Sequence, residues 1–110
     1  MSTGSSLAVI RLSGELEISR RDEISAALVV SGSESGILVD FSEATYADST
    51  TLASLLRFRA DAERLGVPIA VVIGSKQFER LIEYAGLAAV FRIFYERGPA
   101  LTYLAAAGTR

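Results

Sequence analysis

With 110 residues, of which half are apolar and 22% charged, the chain has the size and composition of one globular domain with a single core rather than a disordered segment. Its net charge of −2 argues against sequence-independent nucleic-acid binding, which needs a concentrated basic surface. Neither cysteine nor histidine is present, which excludes disulfides, thiolate and imidazole catalysis and the common zinc sites. An enzyme would have to run on carboxylates, hydroxyls and the single lysine, Lys76, so no catalytic residue, cofactor or metal is expected. No apolar run reaches the ~18 residues that span a bilayer. Residues 1–6, small and polar, lack the parts of a signal peptide and read as a flexible lead-in. A cytoplasmic location follows as an expectation.

Leu7 to Leu12 reads as a first strand, with a bend at Gly14. The alternation Glu15-Leu16-Glu17-Ile18 lets that strand resume as a hairpin arm. Ser19 is placed as the N-cap of a helix with Asp22 and Glu23 in its first turn. Ile24, Ala27 and Leu28 form its apolar face, and Ser31-Gly32-Ser33 ends it. Gly36 precedes the apolar run Ile37–Phe41, a central strand. From about Thr50 the period becomes helical: Leu52, Leu55, Leu56, Ala62 and Leu65 recur, with Leu52, Leu55 and Leu56 set against the sheet. Gly66, with Arg64 before it and Pro68 after, ends that helix. Ile69–Ile73 is the next buried strand. Ser75 caps a further helix bearing Phe78, Leu81, Ile82 and Ala85, and Gly86 ends it with Leu87 set to touch Ile82. Val90–Tyr95 reads as a last strand. Gly98-Pro99 opens a terminal helix with Leu101 and Leu104 inward. The expected fold is a single α/β domain over residues 7–110. It has a mixed, mostly parallel sheet of about four to five strands, antiparallel at the N-terminal hairpin, with about four α-helices.

The junction between the central strand and the long helix draws attention. Asp48-Ser49-Thr50-Thr51 are consecutive side chains that can each cap a helix, at the kind of strand end where α/β domains place working surfaces. Taken on the residues alone, Ser49 is the N-cap, a role worth ~1 kcal/mol, and Asp48 favours the helix dipole. Asp40, at a strand end, invites comparison with a phospho-accepting aspartate. That chemistry needs an acidic pair to hold Mg²⁺; the first strand is followed by Ser13, Gly14 and Glu15, and Asp40 reads better as a loop carboxylate accepting backbone N–H bonds. Gly74-Ser75-Lys76 lacks the spacing of a phosphate loop and reads as a strand-to-helix turn. Arg20-Arg21, Arg57 and Arg59 read as solvated helix faces, Arg57 being also within reach of a partner surface.

Taken in order, Arg11-Leu12-Ser13-Gly14-Glu15-Leu16, Leu38-Val39-Asp40-Phe41, Tyr46-Ala47-Asp48-Ser49-Thr50-Thr51-Leu52, Gly66-Val67-Pro68 and Ala85-Gly86-Leu87 resemble the STAS domain family. The resemblance runs from about Leu7 to Leu104 and is most like the bacterial anti-sigma factor antagonists. In that branch Asp48 matches the signature aspartate, Ser49 the phosphorylated serine, Thr50 the second hydroxyl and second-ranked acceptor, and Leu52 the leucine. Thr51 stands where the family usually has glycine, which puts a side chain where a kinase or partner is expected to approach. The resemblance implies a non-enzymatic transcription regulator that works by partner switching. The unphosphorylated form binds an anti-sigma factor with serine-kinase activity and frees the sigma factor; phosphorylation at Ser49 releases it. The implied partner surface is Asp48, Ser49, Thr50, Thr51 and Arg57, with no direct nucleic-acid contact, no membrane insertion and no oligomeric state set. Two rivals stand beside it. One is a non-switching STAS scaffold or accessory subunit, of a stressosome or a lipid-transport ABC system. The other is a carboxylate enzyme with a pocket lined by Asp40 and Asp48.

Overall fold

Apolar strand runs alternate with amphipathic helices along the chain, and that alternation sets the architecture. In the computed structural model, which describes residues 7–108, the order is β1 (Leu7–Arg11), β2 (Gly14–Leu16), α1 (Arg21–Ala27), β3 (Gly36–Phe41), β4 (Ala44–Ala47), α2 (Ser49–Leu65), β5 (Ile69–Ile73), α3 (Lys76–Tyr84), β6 (Arg92–Phe94) and α4 (Arg97–Gly108). The flexible stretch expected at residues 1–6 lies outside the described residues. A four-stranded sheet runs β1-β3-β5-β6, with every neighbour pair parallel. β3 is buried along its whole length because both of its faces are covered. Ile37, Val39 and Phe41 pack with α1, α2 and α3, whereas Leu38 joins Ala70 and Val72 against Ala100 and Leu104 of α4.

The α/β class holds, and the N-terminal hairpin is replaced by something else. Gly14 turns the chain at φ 77°, and β2 then pairs in parallel with β4, as a separate two-stranded sheet. The reason is geometric. β1 and β3 are already parallel neighbours, so their continuations leave the sheet side by side in the same direction. Alternation in Glu15-Leu16-Glu17 marks an extended segment but not the direction of its partner. Backbone bonds from Leu12 N–H to the Asp40 carbonyl (3.1 Å) and from Gly14 N–H to the Glu43 carbonyl (2.9 Å) carry the pairing across the bend.

Ser19 does not cap a helix. A 3-10 turn over Ile18–Arg20 leads into α1, and neither begins with a side-chain cap. The stabilising group here is Arg20. Its Nη1 donates to the carbonyls of Ser13 (2.7 Å) and Glu15 (3.0 Å), while Nε and Nη2 donate to the two carboxylate oxygens of Glu23. Arg20 therefore ties β2 to α1, whereas Arg21 is solvated.

On α2 the inward line is Thr51, Leu55, Phe58 and Ala62. Leu52 is half-buried against this core, but Leu56 is 46% exposed and points away from the sheet. Phe58 fills the place that the sequence pattern assigns to Leu56. Gly66 ends the helix at φ 73°, its N–H reaching the carbonyls of Ala62 and Glu63. Gly74 is required by contact: a Cβ there would run into the carbonyl of Ser42. Ser75 caps α3 by accepting from Phe78 N–H at 3.1 Å. Leu87 is buried in a 3-10 turn over Leu87–Ala89, which shortens β6 relative to the expected Val90–Tyr95. α4 begins at Arg97 and turns Ala100 and Leu104 inward, leaving Leu101 at the surface.

Candidate functional site

The chain leaves β4 and enters α2 through one residue, Asp48, and that residue is the cap. Its backbone is extended (φ −90°, ψ 178°), and its Oδ1 accepts from Thr51 N–H at 3.0 Å. Ser49 is then the first helical residue, exposed, and free of the capping role that the bare residues assign to it. The N–H groups of Ser49 and Thr50 have no acceptor within the helix, and the positive end of the 17-residue dipole falls on them. Thr50 is half-buried.

Thr51 corrects an expectation. Its side chain does not stand in a partner's path: it is 2% exposed, and its Oγ1 donates to the Leu16 carbonyl at 2.9 Å. The same carbonyl accepts from Asp48 N–H at 3.1 Å. One acceptor on β2 thus holds both the cap residue and the first turn of α2, and Arg20 holds β2 in turn through Ser13 and Glu15. The turn that presents Ser49 is fixed from behind.

Beyond Ser49 the outward strip of α2 is Ala53, Leu56 and Ala60, with the exposed Arg57 at its edge. Small and apolar side chains along an exposed helix face suit contact with another protein. The helical spacing that places Leu52 and Leu55 toward the sheet draws Leu56 with them, so this strip is hidden in the sequence. The competing line Thr51, Leu55, Phe58 and Ala62 has equally good spacing, and it marks the true inner face. Arg57 also borders a small cavity of about 180 Å³ between α1 and α2, with Ser25, Leu28 and Asp61. Thr45 and Tyr46 extend the exposed surface along β4.

Asp40 is not brought to this site. It is 2% exposed on the α4 face of the sheet, whereas Asp48 caps α2 on the other side. Asp40 Oδ1 accepts from Ser42 N–H at 2.8 Å. Its Oδ2 accepts from Arg97 Nε (3.0 Å) and Nη2 (2.8 Å), with Arg11 Nε 3.6 Å away. Burial pushes this carboxyl up, but the hydrogen bonds from Ser42 and the Arg97 guanidinium outweigh it and hold the group below its ordinary value. The loop-carboxylate reading holds in part: Asp40 accepts a backbone N–H from Ser42, but it lies within β3 rather than in a loop, and Arg97 is the partner that local spacing does not reveal. Among the described residues, no cluster of three or more acidic, histidine or cysteine side chains is placed to hold a metal, and no helix is long and apolar enough to cross a membrane.

The profile of the family described as "Mlab, STAS domain" matches residues 2–94. No match is found among curated proteins. Among solved structures, a sulfate transporter family protein from Wolinella succinogenes has a TM-score of 0.82 at 15% identity, over 97% of this chain and 91% of that one. A candidate anti-sigma factor antagonist from Thermotoga maritima has a TM-score of 0.77 at 18% identity, over 87% of this chain and 86% of that one. The anti-sigma factor antagonist SpoIIAA in its unphosphorylated form has a TM-score of 0.67 at 17% identity, over 94% of both chains. At such identities these likenesses concern the fold. The profile covers most of the chain, and the chain belongs to the STAS domain family that this profile describes.

Proposed function

We propose that this protein is a non-enzymatic anti-sigma factor antagonist that works by partner switching in the cytoplasm, with Ser49 as the phosphorylated residue and the start of α2 as the contact surface. The observation that carries this reading is the division of labour at the turn. Asp48 supplies the cap and Thr51 the buried anchor, which leaves the Ser49 hydroxyl exposed at the head of an apolar strip. The unphosphorylated surface, Asp48, Ser49, Thr50 and the strip edged by Arg57, binds an anti-sigma factor with serine-kinase activity. A phosphate on Ser49 sits beside free N–H groups at a helix start, so the fold tolerates it. In the complex it adds roughly −1.5 to −2 charges next to Asp48. An uncompensated interfacial charge costs roughly 2–5 kcal/mol, about thirty-fold to several-thousand-fold in affinity.

The test is calorimetric titration of wild type, Ser49→Asp and Ser49→Ala against the kinase encoded nearest to this gene, with mass spectrometry after ATP treatment. Ser49→Ala should melt like the wild type, bind, and resist release by ATP. Ser49→Asp should remain folded and lose most affinity. Equal affinity of wild type and Ser49→Asp, or phosphate only on another residue, would refute the switch. A second reading, a non-switching STAS scaffold or accessory subunit of a stressosome or a lipid-transport ABC system, is supported by the fold likeness to a sulfate transporter family protein. It predicts a fixed partner whose binding is indifferent to ATP.

A further inference from the structure

We infer a second binding site, at the end of α2 remote from Ser49, for a small anion that carries an apolar group: a carboxylate or a phosphate monoester. A cleft of about 250 Å³ opens between the second half of α2, the start of β5, the segment before β6, and α4. Two guanidinium groups line it, Arg59 and Arg92, and each is oriented by a group that leaves its charge intact. Arg59 Nε donates to the Val90 carbonyl at 2.8 Å. Arg92 lies over the Tyr103 ring, 4.9 Å from its centroid, and the ring is itself packed against Phe94.

Among the described residues, the only carboxylate bordering the cleft is Glu63, 3.5 Å from Arg59 Nη1 and largely exposed. An exposed pair at that distance neutralises little. Two cations against one anion leave the cleft net positive in a chain whose net charge is −2. Arginines oriented by a backbone carbonyl and an aromatic ring, with only one weak exposed carboxylate contact between them, suit a bound carboxylate or phosphate, whose oxygens the planar guanidinium matches. The floor of the cleft is apolar, with Val67 and Phe91 buried and Ile69 half-buried. Its volume lies below the ~300–1,000 Å³ typical of sites for drug-sized ligands, so the ligand is small. The anion bridges Arg59 and Arg92, and its apolar part rests on Val67 and Phe91. This site is independent of Ser49 and of the switching proposal.

The experiment is a titration of the whole ¹⁵N-labelled protein with four probes: hexyl phosphate, hexanoate, hexanol and inorganic phosphate. Hexyl phosphate or hexanoate should move the Nε–H resonances of Arg59 and Arg92 and the amides of Val90 to Arg92, with a Kd of about 1 mM or below. The tighter of the two names the head group. Hexanol, which lacks the charge, and inorganic phosphate, which lacks the tail, should each bind at least ~10-fold more weakly. Arg92→Gln should weaken the better probe by at least ~10-fold while its melting temperature and amide spectrum elsewhere stay those of the wild type. Four results would each overturn the site: shifts confined to Ser49–Thr51, equal affinity for hexanol or inorganic phosphate, an unaltered Kd in Arg92→Gln, or no shift up to ~20 mM probe.

Discussion

Replacing Thr51 by valine removes one hydroxyl from a buried position and leaves its shape almost unchanged. The Leu16 carbonyl keeps its bond from Asp48 N–H at 3.1 Å, so no buried acceptor is orphaned. The loss is one neutral hydrogen bond, ~0.5–1.5 kcal/mol. Thr51→Gly removes the same bond, and further strips a buried methyl-bearing side chain and places glycine in the first turn of α2. Its two buried carbons add ~1.6 kcal/mol at about 0.8 kcal/mol each, and the glycine roughly another 0.5–1 kcal/mol. The glycine variant should therefore lose about 2.5–4 kcal/mol, roughly three times the loss of the valine variant. For a domain near this length a kilocalorie moves Tm by about 4 °C or more, so both effects are readable by urea titration and by thermal melting. Because the side chain points inward, neither variant should tighten the proposed partner's binding. A Thr51→Gly protein as stable as the wild type, or one that binds the partner more tightly, would refute the placement of Thr51 as an inward anchor.

Two further outcomes test the packing and the buried charge. Leu55→Ala should cost about 2–5 kcal/mol by urea titration, while Leu56→Ala should stay within about 0.5 kcal/mol; equal losses would mean that α2 is rotated. Arg97→Ala should cost about 1–2 kcal/mol near neutral pH, discounted because the arginine is 42% exposed. Asp40 titrates below its ordinary value in the fold, so its stabilisation is present above the ordinary carboxylate range and is lost as pH falls through the folded value. The gap between Arg97→Ala and wild type should accordingly shrink between about pH 7 and about pH 3, and an unchanged gap would count against the pair.

Local rules made much of this fold legible. The strand Ile69–Ile73 has the bounds that its apolar run implies, and Gly66 and Ser75 end and begin helices where their backbone and side-chain preferences place them. These features depend on neighbours within a turn or two, which the residue order states directly. Three others depend on distant partners. Which of four adjacent capping residues takes the cap is settled by the Leu16 carbonyl, 35 positions from Thr51, which draws both Thr51 and the Asp48 N–H onto β2. The same pull sets the rotation of α2, turning Leu55 and Phe58 inward and releasing Leu56 to the surface beside Ser49. Asp40 finds Arg97, 57 positions away, and Arg59 meets the Val90 carbonyl, 31 positions away, only because parallel strands with long crossovers bring such segments together. Periodicity records how often a helix or strand shows a side chain to the core. It does not record which carbonyl, carboxylate or ring will be waiting there, since that is set by packing among segments far apart in the chain.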